Sequence, residues 1–329
     1  MAGVFIAGTG MYVPSQVVTN DDLAKIVDTS DEWISKRTGI RERRISHGET
    51  NSYMGIKAAE QAIENAGINA AELDMIIGCT CTPDYFYPSL ACIIQDALGA
   101  DDAFCWDLNG ACSGFIYALD VAQHYLTSGK KNILIVCSEV MSKHMDFSDR
   151  STCVLFGDGS AAVVLKPSNG LYASYLKSIG SLGKNIVSTA LRPRGIYAVD
   201  KDNPNYIRFE NTENHYIRMA GSEVYRFAVK AMPQALEGAA DNGGISLDEL
   251  DLIIPHQANL RIIETASKRL GIGMEKMYVN VEKYGNTSCV SIPLSLAELN
   301  AQGKLQRGEK IGLVGFGAGL TYGSVVFEW

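Results

Sequence analysis

One α/β unit occurs twice in this chain of 329 residues. Residues 58–79 (AAEQAIENAGINAAELDMIIGC) are echoed by residues 231–256 (AMPQALEGAADNGGISLDELDLIIPH). Each copy has the pattern of a helix, a glycine that ends the helix, an acidic turn and an apolar strand. Alternating helices and strands of this kind indicate an α/β fold. The duplication predicts two similar halves, which we place at residues 1–168 and 169–329 because a short, turn-rich segment separates them.

Reactive residues lie at corresponding places in the two copies. The second copy ends at His256, and further downstream the sequence NGACS (residues 109–113) aligns with YGNTS (residues 284–288) at nearly the same spacing. A duplicated unit would bring Cys112 of the first half close to His256 and Asn286 of the second. We interpret these three residues as a catalytic group.

The composition is that of a globular enzyme, with 47% hydrophobic and 20% charged residues. No stretch has the roughly 20 apolar residues that a membrane span requires, and the N-terminus has no secretory signal pattern. The eight cysteines form no disulfide framework. The net charge of −8 disfavours nucleic acid as a partner. We therefore expect a reduced, cytoplasmic protein with no metal site and no nucleic-acid or membrane partner.

Two clusters of basic residues occur in this chain of net negative charge. The first puts five cations into nine residues: Lys36, Arg37, Arg41, Arg43 and Arg44. The second follows His256 and consists of Arg261, Lys268 and Arg269. Basic clusters on an acidic protein suggest a specific anionic ligand or partner, although a solvated face explains either cluster equally well.

Cys112 is the candidate nucleophile. It lies in the sequence GACSG (residues 110–114), and the apolar spacing that follows predicts a helix ending near Gly129. The small residues around Cys112 would let a substrate carbonyl approach the thiol. Because the N-terminus of a helix favours an anion, we expect a lowered pKa for Cys112. A small buried cysteine is the alternative interpretation.

His256 and Asn286 are its candidate partners. His256 follows an apolar strand, at the carboxyl end where α/β proteins place catalytic groups. The histidine could act as a base while the asparagine orients it, as in thiol hydrolases. Alternatively, both side chains could donate hydrogen bonds to a thioester oxygen and stabilise an enolate. Sequence spacing leaves both mechanisms open.

Taken together, the motifs resemble those of the β-ketoacyl-[acyl-carrier-protein] synthase III family, the initiating condensing enzymes of bacterial fatty-acid synthesis. The resemblance covers essentially the whole chain, and although each motif alone is weak evidence, the set is highly specific. The motifs are TSDEWI (29–34), RTGI (37–40), GACSG (110–114), FGDG (156–159), HQANLR (256–261), GNTS (285–288) and GFGAG (315–319).

The resemblance implies a thiolase-like fold, in which two pseudo-symmetric halves form a five-layered αβαβα core, and a homodimer. It implies that Cys112 takes an acyl group from acyl-CoA, with the backbone N–H groups of Cys112 and Ala318 as the oxyanion hole. Malonyl-ACP, the malonyl ester of acyl carrier protein (ACP), would then lose carbon dioxide while His256 and Asn286 stabilise the enolate. Attack on the acyl-cysteine would give a 3-ketoacyl-ACP. Acyl-CoA and malonyl-ACP are substrates, so no cofactor is expected.

Binding positions are also implied by the resemblance. Trp33 and Arg150 match positions that sandwich the CoA adenine, and Arg37 matches one near the CoA phosphates. Ser222 stands where an asparagine often lies near the pantetheine arm, and Tyr87 where a phenylalanine often caps the acyl pocket across the dimer. The implied ACP-binding residues are Gln257, Ala258, Asn259, Leu260, Arg261 and Lys268.

Several departures from the commonest family pattern concern the acyl primer. Besides Tyr87 and Ser222, Cys289 replaces a small alanine, and residues 182–216 are interpreted as an insertion over the site. The expected primer is acetyl-CoA or another short acyl-CoA. The alternatives are a specialised synthase that uses a medium-chain or aromatic acyl-CoA in secondary metabolism, and a thiol acyltransferase or hydrolase of the same fold. A non-catalytic binding protein fits least well, because Cys112 is present.

Overall fold

A computed structural model describes residues 3–189 and 215–329, so most of the predicted insertion, residues 190–214, lies outside the described residues. No helix within the described ranges is long and apolar enough to cross a membrane. The strands are β1 (Gly3–Tyr12), β2 (Val17–Thr19), β3 (Glu42–Arg44), β4 (Met75–Cys79), β5 (Phe104–Leu108), β6 (Ile133–Glu139), β7 (Gly159–Ser168), β8 (Tyr172–Ser178), β9 (Ile186–Val187), β10 (Arg218–Met219), β11 (Leu252–Pro255), β12 (Lys310–Gly317) and β13 (Thr321–Glu328). The α-helices are α1 (Asn20–Leu23), α2 (Asp31–Thr38), α3 (Asn51–Ala66), α4 (Leu90–Leu98), α5 (Gly114–Thr127), α6 (Arg150–Cys153), α7 (Gly221–Gly243), α8 (Leu260–Leu270), α9 (Val281–Tyr284) and α10 (Ser291–Ala301).

Each half of the chain supplies one large sheet. The first has the strand order β1-β7-β6-β4-β5, with β4 parallel to both β5 and β6. The second has the order β11-β12-β13-β8, with β11 parallel to β12. In chain order, the first sheet finishes with β7, which ends at Ser168, and the second sheet starts with β8, which begins at Tyr172. The predicted division after residue 168 falls in the turn between them.

The helices complete five layers. Helices α5 and α10 lie between the two sheets and contact strands of both. Helices α3 and α4 cover the outer face of the first sheet, and α7 and α8 cover the outer face of the second. Strands β4 and β6 are buried throughout, as expected for almost continuously apolar strands covered on both faces. The layers follow the αβαβα order that the family resemblance implied.

The internal repeat is visible in the structure, but the alignment downstream of it is wrong by two residues. Helix α3 and strand β4 correspond to α7 and β11, each pair joined through a short 3₁₀ turn. NGACS and YGNTS were matched by their glycines, which pairs Cys112 with Thr287. The structure instead pairs the 3₁₀ turns Ala111–Ser113 and Ser288–Val290, which precede α5 and α10. Their first residues share left-handed backbone, with φ of 46° and 55°, so the counterpart of Cys112 is Cys289.

Candidate active site

A single cavity of about 1650 Å³ brings the predicted catalytic residues together. Cys112 of the first half lines it together with His256, Asn286 and Ala318 of the second. The site therefore lies where the two halves meet.

Cys112 lies in the tight turn between β5 and α5, as the sequence predicted, but its pKa moves in the opposite direction. Burial raises the pKa of the Cys112 thiol to about 11, and the buried carboxylate of Glu139 adds to the rise. Cys112 is half-buried, and a helix N-terminus contributes only about 0.3–1 kcal/mol, which is less than the loss of hydration around a thiolate at this place costs. Burial therefore outweighs the helix, and the thiolate needs further stabilisation within the site.

Glycine at position 317 allows strand β12 to pass close to the nucleophile. A Cβ atom on Gly317 would lie 2.8 Å from the backbone nitrogen of Cys112 and 3.0 Å from that of Ser113. Thr321 ties the following loop to the same turn, because its hydroxyl lies 3.0 Å from Ser113 Oγ and 3.1 Å from the carbonyl oxygen of Ala318. The predicted oxyanion-hole residues, Cys112 and Ala318, are thus held at the same end of the cavity.

His256 is held in one orientation by Ser291. Its Nδ1 atom lies 2.7 Å from Ser291 Oγ, and its ring packs edge-on against Phe316 with centroids 5.4 Å apart. The same Oγ accepts a hydrogen bond of 3.3 Å from the backbone N–H of Gln257. Within the described residues the Ser291 hydroxyl has no other acceptor, so it donates to Nδ1, since a buried hydroxyl proton left unpaired is costly. Nδ1 is therefore the acceptor, and Nε2 carries the proton.

The second ring nitrogen of His256 is available to a substrate. Nε2 is buried and has no partner in the part of the chain that the structure describes. Burial lowers the pKa of His256 to about 3, so the ring is neutral at physiological pH. A neutral ring with its proton on Nε2 is a hydrogen-bond donor toward the cavity.

Asn286 is fixed by main-chain and side-chain contacts. Its backbone N–H donates to the carbonyl oxygen of Leu155 at 2.8 Å, and its carbonyl oxygen accepts from the N–H of Gly157 at 3.0 Å. Its Oδ1 atom accepts the backbone N–H of Ser288 at 2.9 Å. Because an N–H group needs an acceptor, this contact fixes which end of the amide is oxygen, and the Nδ2 group remains as a donor.

The two side chains do not form a hydrolase-like relay. No hydrogen bond joins His256 to Asn286 among the described residues, because Ser291 holds the histidine and Ser288 N–H holds the asparagine. Of the two mechanisms left open by the sequence, this geometry fits the pair of hydrogen-bond donors.

The comparisons with known proteins agree with this geometry. Family models described as 3-oxoacyl-[acyl-carrier-protein (ACP)] synthase III and as its C-terminal part match residues 106–180 and 240–329. The β-ketoacyl-[acyl-carrier-protein] synthase III of Clostridium acetobutylicum is 48% identical over 100% of this chain and 99% of its own length. The chain belongs to the 3-oxoacyl-ACP synthase III family. The predicted family and its acyltransferase class are thereby confirmed.

Solved structures support the fold in the same way. The 3-oxoacyl-[acyl-carrier-protein] synthase III from Aquifex aeolicus VF5 is 44% identical and superposes with a TM-score of 0.90, covering 99% of this chain and 100% of that one. The priming β-ketosynthase from the R1128 polyketide biosynthetic pathway is 34% identical, with a TM-score of 0.89 and coverage of 99% and 96%. The predicted thiolase-like fold is confirmed.

In this synthase III family member, three of the four predicted CoA-binding residues line the cavity, and the fourth, Arg150, lies against one of them. Trp33, Arg37 and Ser222 line the cavity. The guanidinium carbons of Arg37 and Arg150 lie 4.8 and 4.7 Å from the centre of the Trp33 ring. Arg150 also donates a 2.8 Å hydrogen bond to the carbonyl oxygen of Asp28. An adenine inserted between Trp33 and Arg150 would have to take the place of the Arg150 guanidinium on the ring.

The implied ACP-binding residues divide into exposed and buried ones. Arg261 and Lys268 are exposed on helix α8. Gln257 is only 1% exposed, and its amide bonds to the main chain of Pro255 and Tyr278. Its assignment as an ACP contact is therefore wrong, because its side chain is used to hold the segment after His256 in place.

The other positions of this segment have a structural role as well. Asn259 caps helix α8 by accepting the N–H of Arg261 at 2.9 Å, and its Nδ2 donates to the carbonyl oxygen of Arg37 at 3.1 Å. Leu260 packs into a small apolar cluster, and Ala258 is half-buried beside the cavity. The Asn259–Arg37 hydrogen bond joins the segment after His256 to the first basic cluster.

The first basic cluster is smaller on the surface than the sequence suggested. Arg43 is 1% exposed and donates to the carbonyl oxygen of Val154 at 2.8 Å and to Asn20 Oδ1 at 2.9 Å. Burial lowers its pKa to about 10. Only Lys36, Arg37 and Arg41 remain exposed in this cluster.

Sequence reasoning missed two serines of the site. Ser291 sets the orientation of His256 from 35 residues further along the chain, and Ser288 lines the cavity beside Asn286. Ser288 belongs to the GNTS motif, so its place in the motif was the available signal. No local pattern marks Ser291.

The cavity is also lined by Tyr87, which the resemblance implies as an acyl-pocket residue, and by the two ends of the predicted insertion. Tyr85, Phe86 and Tyr87 all line the cavity and are 60%, 70% and 87% exposed. Residues 186–189 and His215, which flank the part outside the described residues, line it too.

Proposed function

We propose that this protein condenses an acyl-CoA primer with malonyl-ACP to give a 3-ketoacyl-ACP and carbon dioxide, using no cofactor. Acetyl-CoA or another short acyl-CoA is the proposed primer. This is the initiating reaction of fatty-acid synthesis, and it agrees with the names of relatives that match the whole chain.

One observation carries the choice of mechanism. His256 and Asn286 are each held at their acceptor atom, at Nδ1 and Oδ1, so that both turn a donor toward the cavity. A pair of neutral donors stabilises negative charge on a thioester oxygen, which is what decarboxylation of a malonyl group creates. A hydrolase would instead need His256 as a base, and its lowered pKa disfavours that role.

Each half-reaction then balances. In the first, a bond forms between Cys112 Sγ and the acyl carbon, the acyl–CoA bond breaks, and the thiol proton of Cys112 ends on the departing CoA sulfur. In the second, the malonyl carboxylate leaves as carbon dioxide and its electron pair forms an enolate. His256 and Asn286 donate to the enolate oxygen. The enolate carbon attacks the acyl-cysteine, and Cys112 departs as a thiolate.

Two protein partners follow from this function. ACP would dock on the exposed cations of helix α8, Arg261 and Lys268, which offer positive charge to an acidic carrier. A second copy of the chain would cover the edge strand β5 and the exposed aromatic residues 85–87, since both features are unfavourable to leave in water. The partner's aromatic segment would then border the acyl cavity.

Intact-protein mass spectrometry tests the proposal. The protein and its Cys112→Ala variant are incubated with acetyl-, isobutyryl-, octanoyl- and benzoyl-CoA, and malonyl-ACP is added afterwards. A Cys112-dependent adduct that malonyl-ACP discharges with release of carbon dioxide would support the condensation. An adduct discharged by water alone would contradict it.

The same four acyl-CoA thioesters show which primer the protein accepts. An acetyl or isobutyryl adduct supports the initiating role in fatty-acid synthesis. Adducts from octanoyl- or benzoyl-CoA alone would favour a specialised pathway, the alternative that is consistent with the similarity to a polyketide-priming synthase.

A further inference from the structure

The proposed function requires negative charge on the Cys112 sulfur twice, when it attacks the primer and when it leaves the acyl group. Burial makes that charge costly, and the donors of His256 and Asn286 are assigned to the enolate oxygen. A further group of the cavity must therefore stabilise the thiolate.

Ser288 is placed to supply that group. The turns Ala111–Ser113 and Ser288–Val290 contact one another across the junction of the two halves. Ser288 is 1% exposed and lines the same cavity as Cys112. Its buried hydroxyl has no hydrogen-bond partner among the described residues, and of the groups around Cys112 it is the side chain that lowers the pKa of the thiol, against the rise caused by burial.

The backbone of Ser288 is in an unusual conformation. Its φ of 55° lies in the left-handed region, which residues other than glycine seldom adopt. The same residue gives its N–H to Asn286 Oδ1 at 2.9 Å. Ser288 therefore serves two groups. Its backbone N–H holds Asn286, whose Nδ2 donates at the enolate site, and its own hydroxyl is left as a donor for the nucleophile.

We propose that Ser288 is a catalytic residue whose hydroxyl donates a hydrogen bond to the sulfur of Cys112 when that sulfur carries negative charge. This inference rests on the proposed function for its role in turnover. The thiolate it stabilises, however, exists whether or not an acyl group is transferred.

The chain itself indicates that Ser288→Ala can fold. At the corresponding position of the other half, Ala111 adopts a φ of 46°, so alanine is accommodated in this turn. The substitution keeps the backbone N–H that holds Asn286. Thr287→Val is the matched control: Thr287 is also 1% exposed with an unpartnered hydroxyl, but it is not among the residues that line the cavity.

The first measurement is alkylation of Cys112 by iodoacetamide between pH 7 and 9, followed by mass spectrometry of the Cys112 peptide, with Cys112→Ala as the blank. Only the thiolate reacts, and throughout this range the rate rises with the thiolate fraction. A hydrogen bond to a charged group is worth enough for Ser288→Ala to lower the rate at every pH by roughly tenfold or more. Thr287→Val should stay within about twofold of the unchanged protein.

The second measurement is the rate of acyl transfer from acetyl-CoA, which should fall by a similar factor in Ser288→Ala alone. Equal alkylation rates in Ser288→Ala and the unchanged protein would overturn the inference, and so would an equal loss in Thr287→Val. If the unchanged protein accepted no acyl group while the alkylation rates still differed, the proposed function would fail and the role of Ser288 toward the thiolate would stand.

Discussion

Replacing Ser291 by alanine should impair one half-reaction and spare the other. The change removes the hydroxyl that lies 2.7 Å from His256 Nδ1 and leaves that nitrogen buried without a partner. A lost buried hydrogen bond of this kind costs about 1–3 kcal/mol, which corresponds to roughly fivefold to 150-fold in rate at 25 °C. The loss should fall on decarboxylation, because that step uses the Nε2 proton of His256.

The assay separates the two steps. The enzyme is first loaded with an acetyl group, and a single turnover with malonyl-ACP is followed by release of labelled carbon dioxide; acylation is timed separately by mass spectrometry. Ser295→Ala is the control, because Ser295 is buried on the same helix and donates to the carbonyl oxygen of Ser291 at 2.8 Å without contacting His256. Nitrogen-15 spectra of His256 should show an unprotonated Nδ1 in the unchanged protein.

Three results would refute this reasoning. One is an unchanged rate of carbon dioxide release in Ser291→Ala. Another is an equal loss in acylation, which would indicate general damage rather than a misplaced proton. The third is a protonated Nδ1 in the unchanged protein, because His256 would then present an acceptor to the substrate.

Three further predictions concern other parts of the site. Trp33→Ala should raise KM for acyl-CoA roughly threefold to thirtyfold with kcat nearly unchanged, because it removes the ring that Arg37 and Arg150 cover; a matching fall in kcat would argue against a binding role. Gly317→Ala should slow acylation about a hundredfold or more, since its methyl group would lie 2.8 Å from Cys112 N; normal acylation would show that this end of the site is not an oxyanion hole. His256→Gln should reduce the acid sensitivity of folding. The unfolded histidine takes up a proton near pH 6.5 while the buried one has its pKa lowered to about 3, so stability is lost as the pH falls below 6.5. Between pH 7 and 5.5 this should cost the unchanged protein about 1 kcal/mol more than the variant in urea unfolding, and equal losses would contradict it.

The fold was largely predictable because hydrophobic periodicity and duplication are local patterns. The repeat at residues 58–79 and 231–256 indicated two α/β halves, and both sheets are present. Matching the turns by glycine failed, because the structure conserves a backbone conformation at Ala111 and Ser288 and not the glycine beside it. A letter-by-letter alignment cannot register that difference.

The errors at the site concern burial, which depends on contacts distant in sequence. Gln257 and Arg43 lie in polar motifs and resemble surface residues, yet both are buried by contacts with segments elsewhere in the chain. The direction of the pKa of Cys112 was wrong for the same reason, since the helix N-terminus is a local feature and the burial is not. Ser291 was missed because it meets His256 only when helix α10 packs against strand β11, and the two residues are 35 positions apart in the chain.

The contact between the two catalytic turns limits how the sequence of this protein can vary. A methyl group on Gly114 would lie 3.2 Å from Cys289 Cβ, tighter than side chains normally pack. Gly114 begins the helix that follows the first turn, and Cys289 lies in the corresponding turn of the second half, so each residue limits the volume available to the other. We expect homologues with a larger residue at one position to keep glycine at the other, so that the halves co-vary at their point of contact. Any redesign of the turn that carries the nucleophile would have to change Gly114 and Cys289 together.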